Sequence, residues 1–415
     1  MHSVLEQYKG LRKELYILFI GRMVTSMGSM VYPMLTMILN QKLGWNASTI
    51  AFVILLFGLL QMPVTWLGGK LADSANKRSI IIGFDFLSVI CFLIAAFLPI
   101  GFVSVVLLGL AGMFQTVENA SYDALIADLS LTKDRERAYS LMYLGGNLGM
   151  ILSPVISGLL FKNHLRLAFA ISGLSVGIST LLIWLFVRNI ARVEETDAKS
   201  VYQRADDGIS TIEILKKAPA LCLFLITSQF YWSLYAQHSY LLPLDMARVH
   251  GENGAAIYGT VSSLNCIVVV LFTPLLTRFA SKRSHPETYL FGEIFSASGY
   301  LVFLLFLGHV PFYYLAMFLF TLGEIFCTIV NGPYLTSRIP ASHRGRVVSF
   351  SNILGSVLFS VAELSVGFLY DRKPEYAWYL ILGLFMVTFV LNAILRKKDK
   401  ETYPALYTSR DAADK

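Results

Sequence analysis

Long apolar blocks alternate with short polar breaks along this chain. Residues 48–67 and 80–99 carry almost no charge apart from Asp85, and "GGKLADSANKRS" (68–79) separates them. Twelve such blocks occur, at about 14–39, 48–72, 79–99, 101–128, 136–161, 166–189, 219–246, 254–279, 287–309, 311–337, 345–370 and 376–396. Each is long enough for a helix, rising 1.5 Å per residue, to cross a hydrocarbon core of about 30 Å. The alternation of polar and apolar residues that marks a transmembrane β-strand is missing from them. The pattern predicts an all-α integral membrane protein with twelve transmembrane helices. The one long polar connection, residues 190–218, splits them into six-helix bundles at 14–189 and 219–396, with terminal segments 1–13 and 397–415. Inside that connection "STIEILKKAP" predicts a short surface helix capped by Ser210, with Glu213 three residues on.

Composition agrees: of 415 residues, 55% are hydrophobic and 15% charged, against about 25% charged in soluble domains. The net charge of +7 raises the question of a nucleic-acid partner. Its distribution answers it. With both termini inside, 27 of the 34 Lys and Arg fall on the inner side, the bias that sets topology. The chain is expected in a prokaryotic inner or plasma membrane, both termini cytoplasmic, with the bilayer and not nucleic acid as its partner. The N-terminus lacks a small-residue cleavage site, so span 1 is expected to be retained. Cys91, Cys222, Cys266 and Cys327 fall inside spans, too dispersed for a metal site, and are expected to be apolar filler.

The two halves repeat. Asn119 and Tyr122 at the end of span 4 match Asn331 and Tyr334 at the end of span 10, both 212 residues apart. Arg135, Arg137, Ser140 and Gly158 match Arg344, Arg346, Ser349 and Gly367, 209 apart, and Lys77–Ser79 match Lys282–Ser284, 205 apart. Parallel repeats of six spans imply two bundles rocking about a central site.

Residues 68–78 also carry a family signature. "GGKLADSANKR" resembles the loop between spans 2 and 3 of the Major Facilitator Superfamily, through Gly69, Leu71, Ala72, Asp73, Lys77 and Arg78. Ser74 and Asn76 depart from it. The resemblance implies two six-span bundles and a latch in which Asp73 meets the start of span 11, here Arg344-Gly345-Arg346. A carboxylate at a helix N-terminus is favoured by about 0.3–1 kcal/mol. In span 5, Gly149, Pro154 and Gly158 resemble the glycine-proline signature of proton-coupled exporters of that superfamily, with Ser153 and Ser157 in place of two glycines.

Charges inside spans are costly and mark function. Arg22 on span 1 and Glu118 on span 4 lie roughly 12 and 15 Å from the inner face by helix rise. The level match predicts an Arg22–Glu118 pair, with Gln115 and Asn119 beside it. Glu324, near the middle of span 10, is the expected main proton carrier, and Glu363 on span 11 the second. Low dielectric disfavours the charged form of a carboxyl, which suits proton exchange. Asp85 and Glu293 sit nearer the inner face and are expected to snorkel. Span 7 is dense in Gln229, Tyr231, Trp232, Tyr235, Gln237 and His238. Gln229, Tyr231, Trp232, Tyr235 and Gln237, with Gln115, Asn119, Asn265 and Asn331, are the expected substrate contacts, flat apolar surface with a few polar groups, and His238 near the outer end is a candidate pH-sensitive group.

No nucleotide-binding loop or soluble domain is present to power transport, so an ion gradient is the expected energy source, with no other cofactor. The expected function is a monomeric proton-coupled exporter of amphipathic small molecules, and not an enzyme. An importer of a peptide, sugar or organic acid, a sodium-coupled carrier, and a non-transporting membrane protein remain open.

Overall fold

A computed structural model describes residues 8–74, 76–130, 134–187, 213, 215–216, 218–339, 344–404 and 406–407. The side chains of 72–74, 135–136, 336, 344–346 and 348–349 lie outside that description, as does the surface helix expected at Ser210. Every element among the described residues is helical. Among the described residues, eleven helical stretches are long and apolar enough to cross a membrane, and one of them, Pro219–Ala280, runs 62 residues and holds spans 7 and 8.

Local chemistry sets where the helices begin. Pro219, Pro311 and Pro374 stand in the first turns of spans 7 (from Pro219), 10 (Val310–Arg338) and 12 (Pro374–Thr402), where a missing N–H costs no helical bond. Span 9 (His285–Leu305) opens with a capping box. The Glu287 N–H donates to Ser284 Oγ, and the Ser284 N–H donates to the Glu287 carboxylate. Asn76 caps span 3 (Lys77–Phe97).

Spans 1 and 7, expected to be continuous, are both broken. Span 1 is a helix over Lys13–Met27, capped at Gly28, followed by a tight turn at Tyr32–Met34 and short helical pieces to Lys42. Pro33 lacks an N–H and disfavours helix in the residue before it. Span 7 is a helix over Pro219–Tyr235 and another over Gln237–His250, interrupted at Ala236. The caps Gly28 and Ala236 are 208 residues apart, so the breaks repeat with the halves.

By contact the chain forms two compact units, Met1–Thr196 with Pro243–Val270, and Asp197–Leu242 with Leu271–Lys415. In the first, span 3 packs on span 4 (Phe102–Leu129) and span 6 (Leu165–Phe186), and span 1 packs on span 5 (Arg135–Leu160) and span 6. In the second, span 9 packs on spans 10 and 12, and span 7 on span 11 (Arg344–Arg372) and span 12, the same pattern six spans later. The matched tyrosines repeat a role. The Tyr122 hydroxyl donates to the Leu18 carbonyl at 2.5 Å, and the Tyr334 hydroxyl donates to the Ala220 carbonyl at 3.3 Å, tying spans 4 and 10 to spans 1 and 7.

The stretch 243–270 lies beyond the 190–218 connection yet groups with the first unit. Glycines explain its close approach. A Cβ on Gly259 of span 8 (Gly254–Ala280) would strike the Pro154 carbonyl, and one on Gly158 would lie 2.5 Å from the Ala255 carbonyl oxygen. Small residues let such backbones meet.

Span 12 continues past the expected residue 396 to Thr402 because Asp399 is drawn inside. Arg338 donates through Nε and Nη2 to its two oxygens at 2.9 and 2.6 Å, and the Tyr334 and Tyr407 hydroxyls donate to the same carboxylate. Large apolar side chains such as Phe52, Phe97, Leu159 and Leu271 face outward, and Asp85, Glu293 and Asn392 face inward. That is the polarity a hydrocarbon solvent selects.

Candidate functional site

Span 4 places Gln115, Glu118, Asn119 and Tyr122 at helical spacings of three and four, hence on one face. With Arg22 of span 1, Asp85 of span 3 and Ser179 of span 6 they line a cavity of about 190 Å³ in the first unit. The break in span 1 brings Gly28 and Tyr32 to its wall, and the Tyr32 hydroxyl donates to Gln115 Oε1 at 3.2 Å. Spans 1 and 6 approach closely there, since a Cβ on Gly21 or Gly28 would meet Ser179 or Ser175. A second cavity of about 480 Å³ shares Arg22, Ser26, Tyr122 and Met150 and adds Asp123 and Asn147. Arg22 therefore stands in the wall common to both.

The expected Arg22–Glu118 ion pair does not form. Arg22 Nη1 donates instead to Asn119 Oδ1 at 2.9 Å, and its guanidinium lies 5.8 Å from the centre of the Tyr122 ring. One residue along a helix turns the side chain by about 100°, so it is Asn119 that meets Arg22, while Glu118 lines the same cavity as Arg22 and Asp85 without bonding to the guanidinium. The snorkelling expected of Asp85 also fails. Asp85 is buried, lines the cavity and accepts a 2.6 Å bond from the Thr180 hydroxyl. Its depth was legible but its facing was not. The polar stripe Ser172, Ser175, Ser179 and Thr180 on span 6 was the signal that could have placed it.

In the second unit the Tyr235 hydroxyl donates to Glu324 Oε2 at 2.6 Å. Tyr235 ends the first helix of span 7, and its carbonyl, released by the break, accepts from the Tyr300 hydroxyl at 3.1 Å. His238 Nδ1 lies 2.7 Å from the same oxygen. Trp232 packs edge-on against Tyr235, ring centres 5.4 Å apart. Two expected substrate contacts face elsewhere. Tyr231 is wholly buried, bonded to Ser296 of span 9 at 2.8 Å and packed on Tyr289 and Phe385. Gln237 is wholly buried and donates to the Ser233 carbonyl. Gln229 donates to Ser351 of span 11 at 2.8 Å. Trp232, Asn265 and Asn331 are half-buried. Glu363 is buried, with one carboxyl oxygen unpartnered. Glu293, also expected to snorkel, is wholly buried.

Of the proposed latch, Gly69 is exposed, and the side chains of Asp73, Arg344 and Arg346 lie outside the described residues. Lys77 pairs with Asp128 at the end of span 4 at 2.7 Å, and Arg78 donates to the Trp184 carbonyl at the end of span 6. Both cations thus tie span ends within the first unit. The span 5 motif packs on two sides, with Gly149 against the Met23 carbonyl of span 1 and Pro154 and Gly158 against span 8.

Repeated bundles, broken spans 1 and 7 and an intramembrane charge cluster describe a transporter architecture. The family model for the Major Facilitator Superfamily matches residues 18–363. The chain belongs to the Major Facilitator Superfamily. Relatives within it include a protein named Na(+), Li(+), K(+)/H(+) antiporter from Planococcus maritimus, 23% identical over 90% of this chain and 93% of its own. Multidrug resistance protein MdtH of Proteus mirabilis is 22% identical over 93% of this chain and 96% of its own. Among solved structures, a POT family transporter in complex with 5-aminolevulinic acid superposes with a TM-score of 0.79 at 13% identity, covering 95% of this chain and 97% of that one. At that identity the structural likeness establishes the superfamily fold alone. This superfamily member is a multi-pass membrane transporter.

Proposed function

We propose that this transporter is a monomeric proton-coupled antiporter that exports amphipathic cations across a prokaryotic cell membrane, with both termini cytoplasmic and no cofactor beyond the proton gradient. The observation that carries the reading is the pair Glu118 and Asp85 in one cavity with Arg22, whose bond goes to Asn119 and not to either acid. Two carboxyls and one guanidinium give a cavity that is neutral or singly negative according to one proton. A cationic substrate is held by the negative form and displaced by the proton. One site binding either cation, never both, is sufficient for exchange. Glu324, with its hydroxyl donor Tyr235, supplies a carboxyl in the second unit, and Glu363 a further one. Each proton moving inward releases about 2.3 kcal/mol per 100 mV. The antiporter and multidrug names of the relatives support this reading.

The test is proton release from everted vesicles on addition of amphipathic cationic dyes. Wild type should release protons as dye enters, and Glu118→Gln and Glu324→Gln should not. Undiminished release in Glu118→Gln removes the cavity from the mechanism. A second reading, exchange of an alkali cation, is favoured by the small volume of the cavity beside Glu118. Sodium-driven proton release without dye-driven release would select it.

A further inference from the structure

One buried carboxyl has no task in that exchange. Glu293 on span 9 is 0% exposed, as are Thr388 and Asn392, one helical turn apart on span 12. Both lie close enough to the Glu293 carboxyl to act on it electrostatically, but neither meets it with the distance and angles of a hydrogen bond. Neither oxygen of Glu293 has a hydrogen-bond partner, and neither Oδ1 nor Nδ2 of Asn392 has one. Buried polar atoms are almost always paired, so four orphans in adjoining side chains need a cause. Among the described residues, the other titratable groups acting with Glu293 are Tyr289 on its own helix and Cys327 on span 10, neither of them a cation. A carboxylate removed from water and denied a counter-charge is strongly unfavourable.

The repeat supplies an independent observation. Asp85 and Glu293 are 208 residues apart, and so are Thr180 and Thr388. The first pair is joined by a 2.6 Å hydrogen bond between spans 3 and 6. The second occupies the corresponding spans 9 and 12. In the first unit the pair opens on the cavity. In the second it is closed over and gains an amide.

We infer that Glu293, Thr388 and Asn392 form a binding site for one monovalent alkali cation. The donors are all oxygen, two from the carboxylate, one hydroxyl and one amide carbonyl, a set that suits hard cations. A single carboxylate balances a single positive charge, and a divalent ion would leave an excess charge in low dielectric. The site uses no residue of the Arg22 cavity, so it stands whether or not the exported substrate is an amphipathic cation.

The experiment uses the full-length protein in lipid nanodiscs, at constant ionic strength, with sodium replacing N-methylglucamine. Sodium should raise Tm saturably in the wild type and in the surface variant Glu252→Gln. Glu293→Gln should lose the sodium dependence, and Asn392→Ala and Thr388→Val should each need more sodium to reach it. The infrared band of a protonated buried carboxylic acid should fade on sodium addition in the wild type, a readout that needs no variant to fold. Three results would each overturn the site. One is a wild-type Tm indifferent to sodium, lithium and potassium. Another is an unshifted sodium dependence in both Thr388→Val and Asn392→Ala. The last is an acid band that sodium leaves unchanged, which would assign Glu293 a permanent proton.

Discussion

At the scale of the residue, the decisive contact is Arg22 with Asn119. An amide partner fixes the guanidinium without cancelling a carboxylate, and so leaves Glu118 and Asp85 able to exchange charge. In the proposed exchange, protons and a cationic ligand compete for the same oxygens. Binding of a cationic dye to purified protein, followed by fluorescence polarisation, should weaken as pH falls. In Glu118→Gln the dye should bind more weakly at neutral pH and with a flatter pH profile. Unaltered pH dependence in that variant would show that the competition lies elsewhere.

Much of this site was legible in the sequence, and the exceptions share a cause. Counting residues along a helix gives height, and Arg22 and Glu118, counted as level, do line one cavity. Counting does not give facing. Asp85 was read as snorkelling because its distance from the span end is small, yet the span 6 hydroxyls turn it inward. Tyr231 lies between the stripes of span 7, and only the packing of spans 9 and 12 shows that it points into the bundle. The Arg22 partner was misassigned by one residue because level and azimuth are separate quantities on a helix.

At the scale of the element, two contacts carry predictions. Gly259 has no room for a side chain against the Pro154 carbonyl. Gly259→Leu should lower stability by about 1–3 kcal/mol through overpacking, and Gly259→Ala by less, measured as Tm in one detergent. Equal Tm values for the three proteins would mean that span 5 and span 8 do not meet this closely. Arg338 and Asp399 form a buried bidentate pair, side chains 2% and 0% exposed. Asp399→Asn should cost about 3–5 kcal/mol, since it strands a buried cation. The double variant Arg338→Met with Asp399→Leu should recover most of that loss. A double variant as unstable as the single would show that shape, not charge, holds spans 10 and 12 together. The sequence hid this pair because Asp399 lies past the apolar block, in what reads as a polar tail.

At the scale of the whole molecule, duplication is the organising fact. The matched tyrosines Tyr122 and Tyr334, the breaks at Gly28 and Ala236, and the carboxyl–threonine pairs of spans 3–6 and 9–12 all recur one half later. Only the first was visible from residue matching, because the others are relations between spans distant in sequence. The proposed orientation, both termini cytoplasmic, rests on the Lys and Arg distribution. A cysteine introduced at Lys162 should react with an impermeant maleimide in intact cells. One introduced at Asp134 should react only after the membrane is opened. The reverse pattern would invert the proposed topology and with it the proposed direction of exchange.

The Arg338–Asp399 pair also imposes an order in time. Its partners are 61 residues apart, so at a synthesis rate of about 5–20 residues per second the arginine waits roughly 3–12 s for its aspartate. During that interval the inner end of span 10 cannot settle, and a chain released before residue 399 never closes it. Closure of the second unit therefore waits on synthesis reaching residue 399, which couples the settling of span 10 to the making of span 12.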